Sequence, residues 1–249
     1  MKKAYLVVTS DWHIDARTAG VRRHADLEMA VTDVQQAAIS LKEEGHDVGF
    51  LFLGDLCDPD SRGLTFLSQR VAAQAAKNLH SFGIQSFWLV GNHDITQDAL
   101  CTSTLSFMDG CAGATLIDEP GKHTITFRKG FSLDFLALPF TCTEATYDPA
   151  KVASEALCAH PDIRMVIGHL TIPGIQPGEE TTDMPRGRDI MFPVEETKDV
   201  PLRLNGHYHH QQLFKPSAGG DIAIPGALAQ LTFGESDSQP GYLIVEVTK

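Results

Sequence analysis

Five short apolar runs in this 249-residue sequence each end in a tight cluster of acidic, amide or imidazole side chains. The clusters are Asp11-Trp12-His13, Gly54-Asp55-Leu56-Cys57-Asp58, Gly91-Asn92-His93-Asp94, Gly168-His169 and Gly206-His207-Tyr208-His209. A brief apolar, β-branched run bounded by turn residues reads as a strand buried on both faces. In open α/β sheets, ligands bind beyond the carboxyl ends of the strands. Five polar clusters placed where five strands stop therefore point to one sheet-edge site on which those ends converge.

The rest of the chain fits that constraint. Residues 4–8 (AYLVV), 48–53 (VGFLFL) and 87–90 read as buried strands. Between them, Leu27, Val31, Val34, Ala38 and Leu41 form one helical face closed near Gly45. Leu64, Leu67, Val71, Ala75 and Leu79 do the same over residues 64–82, with Gly83 as the stop. The order βαβαβ implies parallel strands with right-handed crossovers. The second half predicts strands at 124–127, 133–138, 165–167, 222–224 and 242–247, and helices near 98–109 and 149–160. Residues 173–201 hold five prolines and three glycines and read as a long surface excursion. No repeat or linker divides the chain, so a single domain over 1–249 is expected.

Charge and cysteine usage narrow the function. Twenty Lys and Arg against 32 Asp and Glu give a net charge of −12. Phosphate affinity comes mainly from Lys and Arg, so passive nucleic-acid binding is disfavoured. Carboxylates gathered around bound cations would account for part of the deficit. The five cysteines are odd in number and show no CxxC spacing, which suits reduced thiols and argues against both a disulfide framework and a thiolate zinc site. No apolar run approaches the ~18–20 residues of a spanning helix. With no leader pattern at Met1-Lys2-Lys3, a cytoplasmic protein is expected, with no membrane partner.

The clusters offer two carboxylates (Asp11, Asp55), one amide (Asn92) and four imidazoles (His13, His169, His207, His209). This oxygen and nitrogen set suits Mn, Fe, Zn or Mg rather than a structural zinc. Seven donors exceed one ion. They suit two divalent ions about 3.5–4 Å apart with a carboxylate between them, a clamp for displacement at phosphorus.

In that order the clusters resemble the signature of the calcineurin-like metallophosphoesterases: D-x-H, G-D-x-x-D, G-N-H-D/E, G-H and G-H-x-H. The resemblance implies an α/β four-layer sandwich, two mixed β-sheets packed face to face and flanked by helices. It implies a first metal held by Asp11, His13, Asp55 and His209. It implies a second metal held by Asp55, Asn92, His169 and His207, with Asp55 bridging. His93 would meet the substrate phosphate or protonate the leaving oxygen, Asp94 would orient His93, and Asp58 would support the site. A dimetal-activated hydroxide would be the nucleophile.

Within the superfamily, DWH at 11–13, GDLCD at 54–58, VGNHD at 90–94, IGHLTIPG at 167–174 and the stretch 225–235 resemble the SbcD-type nuclease subunit of DNA repair complexes. The implied activity is a Mn²⁺-dependent DNA exo/endonuclease, with Mg²⁺, Fe²⁺ or Zn²⁺ as other metals and Arg17, Arg186 and Arg188 as candidate phosphate contacts. The alternative within enzymes is a phosphodiesterase or phosphatase for a small nucleotide or phosphoprotein; a binding module would have lost ligands. Protein phosphatases carry GDxxDRG and GNHE, whereas here Pro59 follows Asp58 and Asp94 closes the third cluster. An SbcC-type ATPase partner and a homodimer through the 64–82 helix would follow from the resemblance. Only 40 residues succeed His209, so no C-terminal DNA-capping domain is expected.

Overall fold

The computed structural model describes residues 3–58, 65–96, 102–128, 130–141, 147–175 and 190–248. The first half contains β1 (Lys3–Thr9), β2 (Arg17–Thr18), β3 (Val21–Arg22), α1 (His24–Glu43), β4 (Asp47–Phe52), α2 (Phe66–Ser81), β5 (Gln85–Leu89) and β6 (Ala114–Ile117). The second half contains β7 (Gly121–Phe127), β8 (Phe131–Leu138), α3 (Pro149–Ala159), β9 (Met165–Gly168), β10 (Leu202–Asn205), β11 (Gln212–Phe214), β12 (Ile222–Ile224) and β13 (Leu243–Thr248).

These strands form two mixed sheets. The first has the order β13-β1-β4-β5-β6, parallel from β1 to β6 with β13 antiparallel at its edge. The second has the order β11-β12-β10-β9-β8-β7, parallel across its centre with antiparallel strands at both edges. The period-2 alternation of a strand sends neighbouring side chains to opposite faces. Val7, Phe50, Phe52 and Trp88 accordingly pack under α1 and α2. Leu6, Val8, Leu51, Leu53, Phe87 and Leu89 meet Phe135, Met165, Ile167 and Leu204 of the second sheet. Leu136, Leu138 and Val166 project the other way, toward Ala153 of α3 and Phe192. The apolar runs are unbroken because both faces of the central strands are buried, and the result is the expected four-layer α/β sandwich.

Local signals fix the helix ends. Thr65 caps α2 by accepting from the Ser68 N–H, and Asp148 caps α3 by accepting from Ala150 and Lys151, with Pro149 in the first turn. Gly45 and Gly83, at φ 86° and 68°, turn the chain out of α1 and α2.

Three expectations are corrected. The predicted helix at 98–109 is a 3₁₀ segment, Thr104–Gly110, begun by Ser103; residues 97–101 lie outside the described set. The strand that the fifth cluster implies, β10, has no counterpart among the strands predicted for the second half because Arg203 interrupts its apolar run; the buried guanidinium donates to the carbonyls of Val194 and Ala218. The excursion at 173–201 is not all surface. Ile190, Phe192, Val194 and Val200 are buried in the outer layer, while residues 176–189, with Arg186 and Arg188, lie outside the described set.

Candidate metal centre

The parallel strands β1, β4, β5, β9 and β10 all point their carboxyl ends at the same edge of the sandwich, and every cluster sits in the turn that follows one of them. Pairing of β1 with β4 continues into the loops: Asp11 N–H donates to Gly54 O (2.9 Å), Trp12 N–H to Asp55 O (2.8 Å) and Ile14 N–H to Leu56 O (3.0 Å). These bonds hold Asp11 (φ 53°), His13 (φ 40°) and Asp55 (φ 62°) in the left-handed region; His207 (φ 76°) joins them from the second sheet. Such conformations cost on the order of 1–2 kcal/mol each and persist where the surroundings over-determine them. Glycine is required where two loops press together. A Cβ on Gly91 would lie 2.5 Å from Asp55 N, and one on Gly206 2.5 Å from Leu53 O.

Two groups of donors result. In the first, Asp11, His13 and His209 bring their ligating atoms within 4.8 Å of one another. His13 Nδ1 is 2.9 Å from the Cys57 carbonyl and His209 Nδ1 is 3.0 Å from Glu235 Oε1. Each Nδ1 therefore carries the proton and donates, which leaves the lone pair of each ring on Nε2. Those two atoms face each other at 3.1 Å. Two acceptors at that distance repel unless an electropositive group lies between them. Asp11 Oδ1 lies 4.0 and 3.9 Å from the same two nitrogens, and neither Asp11 oxygen has a hydrogen-bond partner among the described residues. A fully buried carboxylate left bare in this way fits a cation site.

The second group is Asp55, His169 and His207, also within 4.8 Å. His169 Nδ1 is held by Leu53 O at 2.5 Å, and its Nε2 lies 3.1 Å from Asp55 Oδ2 and 3.0 Å from Asn92 Oδ1. Asn92 Oδ1 is also 3.0 Å from His207 Nδ1, so the amide joins this group. Asp55 Oδ2 is 3.9 Å from His13 Nε2 as well, which places Asp55 between the two groups.

Electrostatics follow the geometry. Burial pushes the Asp11 carboxyl up, offset in part by His169 and His209. Burial would do the same to Asp55, but the charges of His169 and His93 outweigh it and hold Asp55 well below the usual range. Burial disfavours a charged His169, yet the adjoining Asp55 overcomes it and lifts the imidazole to about 9. Burial, then the His169 charge, brings His207 down to about 3. Burial and His209 lower His13.

The remaining predicted residues fall around these groups. His93 stays partly exposed at the mouth, its Nε2 3.9 Å from Asp55 Oδ2, and its backbone N–H donates to Asp55 Oδ1 at 2.9 Å. Asp94, expected to orient His93, makes no hydrogen bond to it among the described residues. Its Oδ2 accepts from the Asp55 and Gly91 N–H groups (2.8 and 2.9 Å) and its Oδ1 from Leu56 (2.9 Å), so it ties the β4 loop to the β5 loop. Burial and the Asp55 charge push its carboxyl up to about 7, against the pull of those donors. Asp58 is half-buried at the end of the β4 loop. Trp12 is fully buried, edge-on to Phe52 and Trp88, with its indole N–H on Thr9. It is a wedge and cannot stack a base. Tyr208 turns away and accepts from the Ile172 N–H. Arg17 is exposed beside the loop of His13.

Glu235 was missed. It is buried and accepts from His209, Leu231 and Thr232, which fixes the His209 tautomer and lowers its own carboxyl despite burial. Twenty-six residues separate it from His209, so no local spacing reveals the pair.

A family model described as calcineurin-like phosphoesterase matches residues 4–211. No curated protein matches the chain. Among solved structures, GAP50, described as the anchor in the inner membrane complex of Plasmodium, is 13% identical with a TM-score of 0.55 over 99% of this chain and 81% of its own. A second structure aligns over 99% of this chain and 100% of its own at 10% identity and a TM-score of 0.49. At such identity GAP50 shows likeness of fold alone.

Proposed function

This chain belongs to the calcineurin-like phosphoesterase family, whose chemistry is metal-dependent phosphoester hydrolysis, and from that premise we propose that its substrate is a DNA phosphodiester, cleaved in the manner of an SbcD-type nuclease with Mn²⁺ as metal. The observation that carries the catalytic part is the pair of Nε2 acceptors of His13 and His209, 3.1 Å apart beside an Asp11 carboxylate with no hydrogen-bond partner among the described residues. In this reading Asp11, His13, Asp55 and His209 hold one cation and Asp55, Asn92, His169 and His207 hold the other. Divalent cations held by these residues would supply a nucleophile at neutral pH and charge neutralisation at the phosphoryl oxygens. The protein's own groups do the rest. His93, at the open mouth, donates a proton toward the leaving oxygen. Glu235 keeps the proton of His209 on Nδ1 and so its lone pair on Nε2. Asp94 keeps the β4 and β5 turns in register, which holds Asp55 and Asn92 at a fixed separation.

The net charge of −12 favours a second reading, a small phosphodiester that needs no extended cationic surface. End-labelled single- and double-stranded DNA, incubated with Mn²⁺ and run on a sequencing gel, separates the two. The DNA reading predicts cleavage that disappears in chelator and falls about 10²–10⁴-fold in His93→Ala. Intact DNA alongside hydrolysis of bis-p-nitrophenyl phosphate would move the assignment to the small substrate.

A further inference from the structure

The hairpin β2–β3 begins four residues after His13 and closes through Ala19 and Gly20, both at positive φ (51° and 80°), the geometry of a two-residue hairpin turn. Its register sets Arg17 directly opposite Arg22. Like charges so placed oppose strand pairing, and each strand here has only two residues with which to resist. Neither guanidinium has a hydrogen-bond or ion-pair partner among the described residues, and both are exposed. Arg23, by contrast, is fully committed: Nε donates to Asp26 at 2.8 Å, and Nη1 donates to Thr18 Oγ1 at 3.0 Å and to Gln230 O at 2.7 Å. Thr18 in turn donates to Leu231 O at 2.6 Å. One face of the hairpin is thus fastened to the segment that leads into Glu235.

Arg17 and Arg22 lie on the other face and line a cavity of about 370 Å³ together with Ile14, Asp15, His24 and Thr65. Ile14 directly follows His13, so one wall of the cavity is the residue next to the first donor loop's imidazole. Its carboxylate is occupied, and its imidazole, whose Nδ1 has no hydrogen-bond partner among the described residues, meets a carboxylate through Nε2. The Asp15 carboxylate accepts from the hydroxyls of Thr65 and Ser68, and His24 Nε2 lies 3.1 Å from Glu28. Two uncommitted guanidinium groups, held side by side against their own repulsion in an acidic chain, await an anion. A phosphate between them would turn the repulsion into two charge-assisted contacts, for which the planar fork of Arg is suited.

We propose that Arg17 and Arg22 form a subsite for a second phosphate of the substrate, next to the one being hydrolysed, and that this subsite makes a polynucleotide strand a better substrate than an ester with a single phosphate. The inference rests on the phosphodiesterase reading. Its test has two arms on the full chain. In chelator, anisotropy of a fluorescein-labelled oligothymidylate reports binding without turnover. In Mn²⁺, kcat/KM is compared for TpT, with one phosphate, and TpTpT, with two. The double variant Arg17→Ala/Arg22→Ala should weaken oligonucleotide binding about tenfold or more, remove its salt dependence in part, and erase the preference for TpTpT through KM. Arg17→Lys/Arg22→Lys should restore part of both. Unchanged affinity together with an unchanged TpTpT preference would overturn the subsite. Binding that depends on the two arginines, in a protein that hydrolyses neither TpTpT nor bis-p-nitrophenyl phosphate, would uphold the anion site and overturn the phosphodiesterase reading instead.

Discussion

Asp11 is a carboxylate that folding strips of water with only nearby imidazoles in return: it is fully buried and neither oxygen has a hydrogen-bond partner among the described residues. A buried charged group left unsatisfied costs roughly 1–3 kcal/mol or more. Asn tolerates the left-handed conformation at φ 53° and removes the charge. In chelator, Asp11→Asn should therefore melt several degrees above wild type, at about 2–4 °C per kcal/mol for a chain of this size. In Mn²⁺ the order should reverse, since only wild type gains from binding. Glu235→Gln should melt close to wild type but lower metal affinity about 10–100-fold, read by titration calorimetry, because the His209 tautomer is no longer enforced. His169 gives a pH dependence. With its imidazole lifted to about 9 by Asp55, the metal-free protein carries a proton at neutral pH where a cation would sit. Loading must expel that proton, so calorimetry in buffers of different ionisation enthalpy should show proton release at pH 7. Apparent affinity should rise with pH up to about 9, by about tenfold per unit, and level off above it.

At the scale of the elements, the turns do more than the strands to set the geometry. Asp94 stitches three backbone N–H groups from two loops to one carboxylate. Asp94→Ala would leave those donors bare and should destabilise by several kcal/mol, measured by urea unfolding, while lowering activity in step with loss of Asp55 and Asn92 alignment. These turns also mark where the sequence could be read and where it could not. The βαβαβ half was legible because its strands are apolar on both faces and its helices have one clean stripe each. The donor clusters were legible because each lies within a few residues of a strand end. The span of strand β10 was not, since Arg203 finds its carbonyl partners at Val194 and Ala218, positions no local pattern foretells. Asp94 next to His93 looked like its orienting partner, but its two oxygens accept from the backbone N–H groups of Asp55, Leu56 and Gly91. Glu235 needed the third dimension altogether.

For the whole molecule, the arrangement of the donors matters more than their number. Asp11, His13, Asp55 and Asn92 follow strands of the first sheet, whereas His169, His207 and His209 follow strands of the second. Each donor group draws from both sheets, so cations bound there would cross-link the two halves of the sandwich at its open edge. No described helix is long and apolar enough to cross a membrane. The measurement that bears most directly on the account is a titration of metal-stripped protein with Mn²⁺, following bis-p-nitrophenyl phosphate hydrolysis and bound metal together. The account predicts no turnover in chelator, activity that saturates as two ions bind per chain, and loss of both second-ion binding and turnover in Asp55→Asn. Turnover that survives chelation, or a fully loaded protein that hydrolyses no phosphoester, would contradict it.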